Sequence, residues 1–232
     1  MNFVNPNFIQ LAFSGDFTYN QSHKGRQDMF LKHYYYQKYP YLNYNFHDYD
    51  GKYIMFSIPP EMLISAFKNK IGRAPKTFFD CGAATGEIVW RAGKLGMNAR
   101  GIDVKRYPYQ NAQLEDLFKQ GKIKICSILD HEPVGDDLVF CNGTLTYFGE
   151  NDITRVLEKF RNCGMLCAIH NTAEDVEAAQ KQNCILSTCS RLRVIQPREW
   201  WLKTFDKNGY TTDYNSDLQC FCAVPRQQVK EH

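Results

Sequence analysis

Long apolar runs, blocks of like charge, low-complexity tracts, internal repeats and C-x-x-C pairs are all missing from this sequence, and each absence excludes something. A helix that crosses a bilayer needs about 20 consecutive apolar residues, and no stretch approaches that. Residues 1–13 lack a basic cluster and are interrupted by Asn5, Pro6, Asn7 and Gln10, so they do not read as a signal peptide. A cytoplasmic location is the expectation. The nine cysteines are odd in number and none is spaced C-x-x-C, which argues against a disulfide framework and against a zinc site; no metal is expected. Cys81, Cys126, Cys141 and Cys167 stand in or beside apolar runs, where a reduced thiol behaves as a small buried hydrophobe. The net charge of +3 does not indicate nucleic acid without a clustered basic patch. Lys68, Lys70, Arg73 and Lys76 come nearest, and a solvated helix end explains them as well as a phosphate surface does.

What is present is an ordinary globular composition, 44% hydrophobic and 23% charged, over 232 residues. That suits one α/β domain with an extension, or at most two small domains. The extension is residues 1–59, in which Tyr34, Tyr35, Tyr36, Tyr39, Tyr41, Tyr44, Tyr49 and Tyr53 are interleaved with Asn, His, Asp and Lys. Neither helical nor strand periodicity holds there for long. Aromatic area with hydroxyls near water suits an edge or a pocket rim, so the segment reads either as a lid over a substrate or as an arm packed on the domain or on a second subunit. Residues 60–232 form the domain.

The organising stretch of that domain is residues 77–103. Thr77, Phe78 and Phe79 suit a strand covered on both faces, and Asp80 closes the run. The small residues Gly82, Ala83, Ala84 and Gly86 follow. Such a turn lets backbone approach a ligand closely, with its amides expected to be free. Ile88, Val89 and Ala92 then mark an amphipathic helix stopped at Gly96, which puts the turn at a helix N-terminus. A second strand, 99–103, ends on Asp103.

Strands and helices continue to alternate, as parallel pairing requires. A helical stripe precedes the unit at residues 61–71. After it come a helix at 108–119, a strand at 122–129 ending at Asp130, the apolar run 138–141, a helix at 151–161 and a strand at 165–170. A helix at 197–208 leads to two strands, 210–214 and 219–224, whose short link makes them antiparallel.

A dinucleotide fold would show G-x-G-x-x-G with an acid roughly 20 residues on. Here the pattern is Asp80-x-Gly82-x-x-x-Gly86, with the acid ahead of the first glycine. It resembles motif I of the class I S-adenosylmethionine-dependent methyltransferases, and residues 137–148 resemble that family's fourth-strand motif. The resemblance implies an α/β, Rossmann-like fold: a mostly parallel seven-stranded sheet, helices on both faces and a C-terminal antiparallel hairpin. It further implies S-adenosyl-L-methionine as cofactor, contacted by Asp80, Cys81, Gly82, Ala83, Ala84 and Gly86. Asp103 with Val104 would lie at the ribose, Leu129 with Asp130 at the adenine, and Asn142, Gly143 and Thr144 at the methionine end.

Tyr147 and His170 are the candidate catalytic residues by position, since an imidazole titrates near neutrality and a phenol can orient an acceptor. The Asn-Pro-Pro-Tyr or Asp-Pro-Pro-Tyr turn of enzymes that methylate base amines is absent, and no cysteine follows a proline. A small molecule, a sugar or a protein side chain therefore stays open as the methyl acceptor. The rival readings are a methyltransferase-like module without turnover, used for subunit contacts through the arm, and a nicotinamide-dependent oxidoreductase.

Overall fold

A computed structural model describes residues 47–49, 53–55, 59–104, 112–131, 133–169, 172–174, 177 and 194–226. Most of the tyrosine-rich extension lies outside these residues. From it come only strands β1 (His47–Tyr49) and β2 (Tyr53–Met55), an antiparallel pair.

Helix α1 (Pro60–Ile71) begins at a proline, whose missing N–H costs nothing in a first turn. It ends at Gly72, whose φ of 80° lets its amide cap Lys68 O at 2.9 Å. It buries Leu63, Ala66 and Phe67, the i, i+3, i+4 stripe of the sequence. Then follow β3 (Thr77–Cys81), α2 (Glu87–Lys94), β4 (Asn98–Asp103), α3 (Ala112–Lys119) and β5 (Ile123–Ile125). The second half contains β6 (Leu138–Asn142), a 3-10 turn (Leu145–Tyr147), α4 (Glu150–Lys159), β7 (Met165–Ile169), α5 (Arg198–Lys207), β8 (Tyr210–Asn215) and β9 (Cys220–Pro225).

Seven strands form one sheet in the order β5-β4-β3-β6-β7-β9-β8. The first five are parallel, while β9 runs antiparallel to both β7 and β8. The sheet's alternation divides the core. Phe78, Phe140, Met165 and Cys222 face the side packed by α1, α2 and α3, whereas Phe79, Val139, Leu166 and Phe221 face α4 and α5. The central strands are covered on both faces, which is why they read as unbroken apolar runs. On the second face Trp201 and Phe205 of α5 are fully buried, and Tyr210 donates its hydroxyl to Leu157 O at 2.6 Å.

One expectation is corrected. The strand expected over 122–129 is only Ile123–Ile125, because Cys126 makes a last bond to Asp103 O and the chain then turns, Asp130 N donating to Ser127 O. The helix expected over 108–119 is described from Ala112, and residues 105–111 lie outside the described part. In the basic run near α1 two of the four cations are paired. Lys70 pairs with Asp213 at 2.5 Å and Arg73 with Asp137 at 2.6 Å.

Asp137 ties the entries of β3 and β6 together, accepting from Arg73 and from the amides of Lys76 (2.6 Å) and Thr77 (3.2 Å). Burial pushes its carboxyl up, but these donors outweigh burial and hold it below the usual range. A depressed folded pKa contributes stability that is present above the unfolded value, about 4, and lost as pH falls through the folded one. Asp137→Ala should therefore cost about 1–2 kcal/mol at neutral pH and flatten the acid limb of stability against pH below about 4, read from urea unfolding.

Candidate active site

In an open parallel sheet a crevice forms at the carboxyl edge where neighbouring strands are left in opposite directions. Here that point lies between β3, which continues to β4, and β6, which continues to β7. The chain leaves β3 through residues 82–86, and backbone conformation explains their identity. Gly82 and Gly86 both have φ of 86° and Ala84 has φ of 47°, the left-handed region that excludes bulky side chains.

The turn's amides are not free as expected. Gly82 N and Ala83 N both donate to Ile102 O (2.9 and 2.8 Å), Gly86 N to Ala83 O (2.7 Å) and Ala84 N to a carboxylate oxygen of Asp103 (2.8 Å). The turn is thus pre-organised by β4, and Asp103 serves it directly.

From the other side Thr144, just past β6, donates its hydroxyl to Cys81 O at 2.8 Å. A Cβ at Gly82 would lie 2.1 Å from that hydroxyl oxygen, so Gly82 is required by contact as well as by φ. Thr144 acts as a clamp between the two loops. The loop after β6 is itself braced: Gly143 N donates to Ile169 O at 2.6 Å and the Thr146 hydroxyl to Gly143 O at 2.7 Å. Gly143 has φ of 69° and open space where a Cβ would stand.

Gly101 was missed in the sequence. It sits in mid-strand on β4, beneath the turn, and a Cβ there would meet Ala83 Cβ at 2.8 Å and Asp80 O at 2.9 Å. The signal was available, since a glycine inside a strand marks a close approach of another backbone. Gly101→Ala should overpack this contact and cost about 1–3 kcal/mol in urea unfolding.

Two acids converge on the turn. Asp80 is 3% exposed and Asp103 8% exposed. Burial, reinforced by the neighbouring charge of Asp103, raises the Asp80 carboxyl to about 8. Cys81 is fully buried, and burial pushes its thiol up, with a bond to Cys141 adding to this. Its side chain is core, and only its backbone faces the turn. Val104 is exposed, Asp130 is exposed in the turn after β5 with half-buried Leu129 beside it, and Asn142 is half-buried at the end of β6. Tyr147 is 47% exposed on the 3-10 turn. His170 lies outside the described residues, as does Asn171.

No family model matches the sequence, and no curated protein matches it. Solved structures do. The sugar N-methyltransferase KedS8 from Streptoalloteichus superposes with a TM-score of 0.55 at 13% identity, over 73% of this chain and 87% of its own. Magnesium protoporphyrin IX methyltransferase (ChlM) from Synechocystis, with bound SAH, gives 0.51 at 12% identity over 71% and 81%. The small RNA methyltransferase HEN1 gives 0.55 at 14% identity over 73% and 25%.

The chain has the class I methyltransferase fold. The glycine turn of this methyltransferase fold, the acid ending β4 and the loop after β6 meet at one crevice. The donor set suits a nucleoside joined to a zwitterionic amino acid. A carboxylate at a strand end can accept from both hydroxyls of a ribose. The left-handed glycines let the turn pack directly on its supports, since a Cβ at Gly82 would stand 2.1 Å from the Thr144 hydroxyl and one at Gly86 2.1 Å from an Ile123 methyl. Among the described residues no helix is long and apolar enough to cross a membrane.

Proposed function

We propose that the protein is an S-adenosylmethionine-dependent methyltransferase acting on a small molecule, a sugar or a protein side chain. The observation that carries the reading is the junction of the Asp103 carboxylate with a glycine turn clamped by Thr144, at the switch point of a methyltransferase fold.

In this reading S-adenosylmethionine supplies an electrophilic methyl on sulfur, and the chain orients and dehydrates it. Asp103 takes the ribose hydroxyls. Gly82, Ala83, Ala84 and Gly86 lie along the amino-acid part, next to Asp80, while Gly143 and Asn142 border it from β6. Leu129 and Asp130 take the adenine, and Val104 follows the ribose acid. Thr144 supports the site through Cys81 O, so its substitution should act on the turn. Tyr147 and His170 are proposed to orient the acceptor.

We assign residues 60–232 to the catalytic domain and 1–59 to an arm that covers substrate or joins subunits. The seven cysteines described are free thiols, the state that a reducing compartment such as the cytoplasm maintains, and the proposal puts the protein there. The neighbours named above are methyltransferases for acceptors as unlike as a sugar, a small RNA and a magnesium porphyrin. An acceptor screen should begin with amino sugars and small phenols.

The test is calorimetric titration of the full chain with S-adenosylmethionine, S-adenosylhomocysteine and NAD. Saturable binding of the first two in the micromolar range or tighter, with none of NAD, is expected. A protein that binds neither sulfur nucleoside does not have this function.

A further inference from the structure

Cysteine was read from the sequence as scattered core filling, yet three of the thiols meet at one point. Cys220 and Cys222 are two apart on β9, so their side chains share a face. Cys167 on β7 is the direct cross-strand partner of Cys222, the position where side chains of neighbouring strands approach closest. The three sulfurs all lie within 4.8 Å of one another, with Cys220 Sγ and Cys222 Sγ 3.6 Å apart. Fractional exposures are 0%, 0% and 1%. Met165, two residues before Cys167 on the same face, belongs to the same buried cluster.

A thiol used as a small hydrophobe explains one buried cysteine at a time, as at Cys163. It does not explain why three sulfurs converge where Ala or Val would fill the volume. We propose that Cys167, Cys220 and Cys222 form a three-thiolate site for a cuprous ion, which joins the terminal hairpin to the parallel sheet. This is separate from the crevice at the strand ends.

The ligand chemistry selects the ion. Soft thiolates favour Cu(I) or zinc, but zinc in a structural site takes four ligands. Among the described residues no fourth cysteine, histidine or carboxylate joins the group, and its depth excludes water. Cu(I) accepts three sulfurs. On binding, each cysteine thiol releases its proton to solvent while the S–H bond is exchanged for S–Cu, with no change of oxidation state. Three thiolates would leave an excess of negative charge, and Lys70 of α1, the covering helix, is a cation whose field reaches Cys222. It is already held over this edge by Asp213, the cross-strand partner of Cys222.

The experiment is anaerobic titration of the reduced full chain with Cu(I) against a cuprous chelator, bathocuproine disulfonate. The expected result is one copper per chain withheld from the chelator, near-ultraviolet thiolate-to-copper absorption and a raised Tm. Cys220→Ser and Cys222→Ser should each weaken retention by more than the roughly 10–100-fold that loss of a mere orienting partner brings, while Cys163→Ser should retain it. Equal retention in the serine variants, or none in the wild type, overturns the site. Should the variants fail to fold, X-ray absorption of the copper-loaded wild type decides. A first shell of three sulfurs supports the assignment, and any other shell overturns it. A single zinc held in preference to copper also overturns it.

Discussion

Asp103→Ala should abolish measurable binding of S-adenosylmethionine and S-adenosylhomocysteine while leaving the chain folded. Two hydrogen bonds from a diol to a carboxylate are charge-assisted, each contributing about 1.5–3 kcal/mol. Their loss should weaken binding by at least about 100-fold. The same carboxylate also accepts from Ala84 N, and this second duty must be separated from the first. Asp103→Asn keeps an oxygen for that amide but offers the diol a poorer partner. If the acid acts on the ribose, calorimetry will find binding weak in both variants, with the Tm lowered mainly in the alanine variant. Full recovery of binding with asparagine would mean that Asp103 only shapes the turn, and the assigned ribose contact would be wrong.

Asp80 should make the protein lose stability as pH rises through neutrality, opposite to Asp137. Its carboxyl is raised to about 8 by burial and by the charge of Asp103. Between the unfolded value, about 4, and the folded value the native state binds the extra proton. The contribution of this group is therefore complete below about pH 4, declines as pH climbs, and is gone above the folded pKa. The full span is of the order of a few kcal/mol. Asp80→Asn cannot ionise, so wild type minus variant isolates this slope from groups such as His131, which burial shifts down. Urea unfolding between pH 5 and 9 should show the variant gaining on the wild type with rising pH; parallel curves would disprove the buried-acid reading.

Cofactor binding offers a second readout of the same group. A sulfonium and an ammonium brought near Asp80 favour its ionised form, so binding near pH 7 should release a proton. The calorimetric enthalpy should then depend on the buffer's ionisation enthalpy in the wild type and not in Asp80→Asn.

Much of the fold was legible because its signals are local. Phe78 and Phe79, or Val139 and Phe140, sit in runs that only a strand covered on both faces requires. Ile153, Val156 and Leu157 repeat at a helical period, and Gly96 and Gly209 stand where chain direction changes. The strand 122–129 was read too long because Ile128 continues the apolar pattern while serving as a buried turn residue. The amides of the glycine turn were misread because their acceptor, Ile102 O, is supplied by the neighbouring strand.

The sequence by itself determined the succession of strands and helices, the left-handed glycines of the turn and the two acids that flank it, since all of these depend on backbone sterics and on side-chain period within a few residues. Tertiary structure alone decided that Thr144 would clamp Gly82, that Arg73 and Lys70 would be spent on Asp137 and Asp213, and that Cys167 would meet Cys222. The reason is physical. Period tells which face a residue takes, but which strand lies beside it, and in what register, is set by packing between segments far apart in the chain.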